Sequence, residues 1–135
     1  MKKVLPKAKY HPDGELWVLQ EKNHFKIGVT DFGQEFFRAV KKVELPEIGQ
    51  FYTKNKWMAS IETDKVNTDL FFPISGKLIE VNPKLLTEPT LINDSAFKEG
   101  WLLKLEAVPK TEIESLMDAK EYQNFLGTFF NKNEE

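Results

Sequence analysis

The sequence predicts a mainly β fold with flanking helices, a small β-sandwich or flattened barrel with an N-terminal hairpin and C-terminal helices. Three observations carry this. Short runs rich in Val, Ile, Leu, Phe and Trp recur between turn residues from Leu16 to Glu106. Two of them, Trp57 to Glu62 and Val66 to Phe72, alternate around the polar tip Glu62-Thr63-Asp64-Lys65, the pattern of strands with one face buried and one wet. Beyond Pro109 the period changes: Ile113, Leu116, Met117, Tyr122, Phe125, Leu126, Phe129 and Phe130 fall at three-and-four spacing, the stripe of amphipathic helices.

With 135 residues, one domain is expected over the whole chain. Residues 1–9 form an N-terminal tail, 10–108 a β core, 109–131 C-terminal helices and 132–135 a frayed tail. The composition, 41% hydrophobic and 30% charged, is that of an ordinary soluble protein and excludes wholesale disorder. A net charge of −2 gives no footprint for nucleic acid or anionic membrane. Lys2, Lys3, Lys7 and Lys9 read as a solvated basic tail, because no aromatic stacking platform is interleaved with them. No apolar run reaches the roughly 18 residues of a membrane span, and no apolar signal core precedes the first strand, so a cytoplasmic protein is expected. With no cysteine, disulfides and thiolate metal sites are excluded, and any redox sulfur has to come from a cofactor.

Taken in order, His11-Pro12-Asp13-Gly14 is a turn. Leu16 to Leu19 and Phe25 to Val29 flank the polar Glu21-Lys22-Asn23 and form the N-terminal hairpin. Thr30 is a helix N-cap with an acid, Asp31, in the first turn. A short helix is expected over about 31–38, offering Phe32, Phe36 and Phe37 to the core. Asp31-Phe32-Gly33 spells a kinase magnesium motif, but the chain has neither a glycine-rich loop nor a catalytic HRD loop. Val40 to Leu45 is a strand ended by Pro46, and residues 50–56 read as irregular. The hairpin around Lys65 follows. Pro73-Ile74-Ser75-Gly76 turns the chain into the strand Lys77 to Val81. Residues 82–100 hold a short helix near Pro83–Leu86 and are otherwise loop, and Trp101 to Glu106 returns as a strand. Asp118 with Glu121 three residues on starts the last helix. Val43-Glu44-Leu45-Pro46 and Ile79-Glu80-Val81-Asn82-Pro83 form a faint repeat on either side of the Lys65 hairpin.

The sequence lacks HExxH spacing, a GxSxG elbow, a phosphate-cradling glycine loop and a dinucleotide fingerprint. His11 and His24 read as surface or turn residues. These absences favour a carrier or binding module over an enzyme. What remains is Lys65. By default a lysine is a solvated charge and a poor nucleophile. At an exposed, stiff hairpin tip with the small or polar neighbours Thr63, Asp64 and Asn67, it also suits acylation by a modifying enzyme, which removes the charge and leaves a long arm on a rigid base.

Ile27-Gly28-Val29-Thr30-Asp31-Phe32-Gly33-Gln34-Glu35 resembles the G-[IV]-T-D-[YF]-A-Q-E stretch of the glycine cleavage system H proteins. Val43-Glu44-Leu45-Pro46-Glu47-Ile48-Gly49 resembles that family's V-E-L-P-E-[VI]-G. Glu62-Thr63-Asp64-Lys65 takes the place of E-S-V-K, and Pro73 to Asn82 that of P-V-S-G-x-[VI]-x-E-V-N. Leu91-Ile92-Asn93 and Glu99-Gly100-Trp101-Leu102 match L-[VI]-N and G-E-G-W-L. The similarity runs in order over roughly residues 10–126. It implies a lipoyl-domain-like β-sandwich or barrel-sandwich hybrid, with lipoate attached covalently to Lys65 as cofactor. It also implies help to the modifying enzyme from Glu62, Gly76 and the neighbouring Asp64. The simpler readings are a solvated strand end for Glu62 and a turn residue with positive φ for Gly76.

The implied role is non-catalytic. The carrier would shuttle an aminomethyl group and reducing equivalents between a pyridoxal-phosphate glycine decarboxylase, an aminomethyltransferase and dihydrolipoyl dehydrogenase, with a lipoate ligase or lipoyl-transfer enzyme loading it. A surface cleft would shield the loaded arm. The chain departs from the family beside the arm. Gly14-Glu15-Leu16-Trp17-Val18 stands where members carry H-E-W-V, Gln50 to Met58 replaces a small acidic stretch, and Phe71-Phe72 is bulkier than usual. Two alternatives follow: an H-like lipoyl carrier in another pathway, such as sulfur oxidation with a heterodisulfide-reductase-like complex, or an unmodified lipoyl-fold interaction domain. A biotin carrier fits less well, since Asp64 and Val66 stand where methionines flank the biotinylated lysine.

Overall fold

A computed structural model describes residues 3–134, with side chains over residues 3–128. The side chains of the stripe positions Phe129 and Phe130, and the tail residues Lys2 and Glu135, lie outside what is described.

Among the described residues, nine strands form two antiparallel sheets. They are β1 (Lys9–Tyr10), β2 (Leu16–Glu21), β3 (His24–Val29), β4 (Lys42–Glu44), β5 (Phe51–Tyr52), β6 (Trp57–Glu62), β7 (Asn67–Phe71), β8 (Gly76–Val81) and β9 (Leu103–Glu106). The larger sheet runs β1-β2-β3-β9-β8-β5 and the smaller β4-β6-β7, giving the mainly β, lipoyl-domain-like barrel-sandwich that the sequence predicts. The two strands of the faint repeat, β4 and β8, lie one in each sheet.

Strand β2 shows why the sheets hold together. Its successive side chains point to opposite faces. Leu16 and Val18 join the main core with Ile27, Met58, Ile61, Phe72, Ile74 and Leu78. Trp17 instead enters a second, aromatic core with Tyr10, Phe32, Phe97 and Tyr122. Both cores are continuous with one sheet, so perturbing β2 disturbs both. Gly28 makes the Trp17 position possible: a Cβ there would sit 2.4 Å from the indole Cζ2. The indole Nε1 donates to the carbonyls of Val29 at 3.0 Å and Ala96 at 3.1 Å, so this buried donor is satisfied. Tyr10 and Tyr122 stack at 3.9 Å between ring centroids.

The predicted caps are present. Thr30 Oγ1 accepts from the Gly33 amide at 2.8 Å and donates to the Gly14 carbonyl at 2.7 Å. Asp118 and Glu121 exchange backbone-to-carboxylate bonds at 3.1 and 2.8 Å, closing a capping box at the start of α4 (Ala119–Glu134). A separate short helix, α3 (Lys110–Glu114), precedes it.

Other expectations need correction. Residues 4–8 are not a solvated tail: Ala8 is buried, Val4 and Leu5 pack on the aromatic core, and the Leu5 amide and carbonyl both bond the Tyr10 hydroxyl. The helix after Thr30 stops at Gln34 (α1, Asp31–Gln34) instead of reaching 38. Asn93 accounts for this, because it accepts from the Val40 amide and donates to the Arg38 carbonyl, drawing the chain off the helix axis. Phe37 is consequently buried and Phe36 exposed. Asn93 itself sits in α2 (Leu91–Asp94), in a segment expected to be loop, while Pro83–Leu86 is a 3-10 turn capped by Asn82. Phe51–Tyr52, expected to be irregular, pairs with Lys77 and Gly76 at the edge of the large sheet. A register shift between Trp57 and Ala59 breaks the strict alternation of β6, so Met58 and Ala59 are both buried.

Candidate functional site

Lys65 stands at the tip of the β6–β7 hairpin with its side chain exposed. Glu62 pairs with Asn67 as the last rung, and Ile61 with Thr68 below it. The tip is held by Thr63, which is buried. Its amide donates to the Val66 carbonyl at 2.9 Å. Its Oγ1 accepts from the Val66 and Lys65 amides at 3.2 and 3.3 Å and donates to the Val66 carbonyl at 3.2 Å. None of the tip residues has positive φ, so the turn forms without glycine and tolerates the β-branched Thr63 and Val66. The outcome is a stiff loop with one long side chain projecting from it.

The residues singled out with Lys65 divide into two groups. Glu62 and Asp64 lie on the tip and are exposed. Lys41 lies alongside: its amide donates to the Glu62 carbonyl at 2.7 Å, and its Nζ is 3.9 Å from the Asp64 carboxylate. So exposed a pair contributes about 0–1 kcal/mol. Gly76 is elsewhere, in β8 of the larger sheet opposite Tyr52. Its φ is not positive, which corrects the turn-residue reading. The requirement is one of space: a Cβ would meet the Glu106 carbonyl oxygen at 2.9 Å and Leu105 Cβ at 3.0 Å. The loop before it is fixed by Glu112, whose carboxylate accepts from the Ser75 amide at 2.6 Å and hydroxyl at 3.0 Å.

A cleft of about 600 Å³ opens beside β7, between Thr68–Phe71 on one side and the turn from His11 to Leu16 on the other, with Asn55 at its margin. Leu16, Leu70 and Phe71 give it an apolar strip, while Asp13, Glu15 and Asp69 give it acidic groups. Burial alone would raise the Asp13 carboxyl, but bonds from the His11 side chain and the Glu15 amide hold it below the ordinary value. Burial, and then the nearby Asp13 charge, push Glu15 upward. The resemblance implies a surface cleft, but the residues themselves show only a turn at His11–Gly14: that turn leads into β2 of the larger sheet while the facing wall is β7 of the smaller one, and the two meet only in the folded chain. Among the described residues, no group of three or more His, Cys, Asp or Glu residues is placed to hold a metal ion.

The family model for the glycine cleavage H-protein matches residues 8–129. The chain belongs to the glycine cleavage H-protein family. It is 43% identical over 122 residues to the mitochondrial glycine cleavage system H protein of Pisum sativum, covering 90% of this chain and 73% of that one. It is 42% identical over 119 residues to the glycine cleavage system H protein of Thermotoga maritima, covering 88% and 96%. The crystal structure of a glycine cleavage system H protein from Mycobacterium marinum superposes with a TM-score of 0.79 at 23% identity, covering 92% of this chain and 99% of that one. That last likeness concerns the fold. The H-protein match takes in both sheets, the Lys65 hairpin and both walls of the cleft.

Proposed function

We propose that the protein is the lipoyl carrier of a glycine cleavage system and that Lys65 bears the lipoyl group. The observation that carries the reading is an exposed lysine on a turn locked by Thr63, within a chain of the H-protein family. Attachment forms one amide bond between Lys65 Nζ and a carboxyl carbon. The modifying enzyme first joins the carboxylate to the nucleoside monophosphate, releasing pyrophosphate; the neutral amine then displaces the monophosphate, which leaves with one carboxyl oxygen as the C–O bond breaks, and the amine nitrogen gives up a proton. Once bound, lipoate supplies a disulfide that can be reduced and can carry a small amine-bearing carbon unit.

The chain's own residues present and shield. Thr63 fixes the direction in which Lys65 leaves the hairpin. Glu62 and Asp64 offer charge to the modifying enzyme beside the target amine. Gly76 acts through packing, holding β8 against β9. The cleft beside β7 begins three residues after Lys65, and its acidic groups favour an amine over an anion. The partners of this reading are a pyridoxal-phosphate glycine decarboxylase, an aminomethyltransferase, dihydrolipoyl dehydrogenase and a lipoate ligase. The protein contributes positioning and no catalytic residue, and its compartment is the cytoplasm. A heterodisulfide-reductase-like partner and an unmodified interaction domain draw no support from the relatives found.

The test is intact mass after incubation with a lipoate ligase, lipoate and ATP. Wild type is expected to gain one lipoyl group and Lys65→Ala none. A lipoyl gain by Lys65→Ala would sink the assignment of Lys65. Glycine-dependent reduction of the loaded protein by glycine decarboxylase is then expected, and its absence with an active partner would reject the pathway.

A further inference from the structure

The outward face of the β4-β6-β7 sheet is ordered in three rungs running down from the tip. Next to Lys65 lie Lys42, Glu62 and Asn67. Glu44, Ser60 and Asp69 come next, and Trp57 and Phe71 are opposite each other at the base. The middle rung is tied together: Ser60 Oγ donates to Asp69 Oδ1 at 2.8 Å, and the Trp57 indole donates to Ser60 Oγ at 3.0 Å. Trp57 is nevertheless 37% exposed and Phe71 51%. A shallow depression lies over the upper two rungs. Three carboxylates, Glu44, Glu62 and Asp69, share this face with the ammonium of Lys42. Lys42 Nζ lies 3.7 Å from the Glu44 carboxylate, which leaves Glu62 and Asp69 to give the face its sign; exposed aromatics are enriched in protein-binding surfaces, whose rims are polar.

We infer that this face is the docking surface for the enzyme that acylates Lys65, a partner presenting arginine or lysine side chains to the acidic rungs and an apolar recess to Trp57 and Phe71. The inference rests on the lipoyl-carrier reading. Reach selects this occupant. A bare lysine extends only about 6 Å from its Cα, so the acylating enzyme has to enclose the tip and lie against the adjoining sheet. The strand β7 spans about 13 Å from Asn67 to Phe71, within the footprint of a standard interface. Enzymes that meet the protein after loading receive a longer arm and are free to stand further off. The charge on the face sets the sign of the partner's surface, and the aromatic pair sets its anchor.

The experiment measures initial rates of lipoylation by a purified lipoate ligase with lipoate and ATP, varying the carrier. The variants are Trp57→Ala, Phe71→Ala, Asp69→Asn and, as a control, Phe51→Ala, an exposed aromatic on the other sheet. Circular dichroism establishes that each is folded. Trp57→Ala and Phe71→Ala are expected to raise KM about tenfold with kcat within about twofold. Asp69→Asn is expected to raise KM a few-fold and to flatten its salt dependence, with Phe51→Ala unchanged. Unchanged KM for both aromatic variants, with wild type lipoylated normally, overturns the inference. So does an equal effect of Phe51→Ala. A rise in KM seen only with glycine decarboxylase and the loaded variants assigns the face to a later partner and overturns it as well. Self-association of wild type that the aromatic variants abolish gives the face to a second copy of the chain and rejects the acylating enzyme as its occupant. Failure of wild type to accept lipoate removes the carrier reading itself.

Discussion

Replacing Thr63 by valine keeps the shape of the side chain and removes the hydroxyl that holds the hairpin tip. Three contacts go, all near 3.2–3.3 Å: two amides lose their acceptor and the Val66 carbonyl loses one donor. A hydrogen bond of average geometry contributes about 0.5–1.5 kcal/mol net. These are long, and Lys65 and Val66 are exposed, so water replaces part of what is lost. The Val66 carbonyl also keeps its 2.9 Å bond from the Thr63 amide. A total of about 1–2 kcal/mol follows, which lowers Tm by roughly 3–8 °C for a domain of this size. Thermal unfolding followed by circular dichroism reads the global term, and amide hydrogen exchange at Lys65 and Val66 reads the local one. Thr63→Ser keeps the hydroxyl and is expected to lie within about 0.5 kcal/mol of wild type. If Thr63→Val melts within about 1 °C of wild type and exchanges its tip amides no faster, the hydroxyl does not hold the turn.

Other outcomes follow from the packing and the buried groups. Gly28→Ala drives a methyl into the Trp17 ring at 2.4 Å, and displacing the indole also breaks its two bonds to Val29 and Ala96. A loss of about 3 kcal/mol or more is expected in urea unfolding, and wild-type stability would contradict the close approach. Gly76→Ala should cost about 1–3 kcal/mol by separating β8 from β9 while leaving ligase kcat/KM within about twofold at temperatures where it is folded; a larger kinetic loss would give Gly76 a direct part in recognition. Burial pushes the Tyr10 and Tyr122 hydroxyls up to about 12. The unfolded chain ionises its tyrosines near 10, so stability is full below that pH and falls as pH rises from about 10 to 12. Absorbance at high pH should show these two phenols ionising together with unfolding, and early titration in the folded state would refute their burial.

Where local chemistry decides the structure, the sequence was readable. Thr30, Asp118 and Glu121 bond within a few residues of themselves, and the Lys65 hairpin is set by alternation around a polar tip. The errors have a common origin in distant partners. Residues 4–8 look like a basic tail until the hydroxyl of Tyr10 takes both polar groups of Leu5. The helix at Thr30 is cut short by Asn93, more than fifty residues away. Phe51–Tyr52 is too short to show a period and becomes a strand only by pairing with β8. The site divides in the same way. The exposed lysine at the hairpin tip was visible at once, whereas the cleft, implied by the resemblance, could not be placed on residues, since His11, Asp13 and Glu15 come together with Asp69 only in the folded molecule. Gly76 was singled out by the resemblance, with positive φ as the simpler reading, whereas the space that excludes a larger residue there is set by Glu106 and Leu105 on the neighbouring strand.

The Gly14 carbonyl accepts from Thr30 and also from the Tyr122 hydroxyl at 3.0 Å, across 108 positions of sequence. This separates the two parts of the molecule in time. A ribosome adding about 5–20 residues per second releases the β6–β7 hairpin, whose contacts are local, well before Tyr122 exists. The turn that walls the cleft gains its bond to Tyr122 only after α4 has emerged. The hairpin that carries Lys65 therefore has all its own pairing partners early in synthesis, and the turn that walls the cleft receives its Tyr122 bond only later.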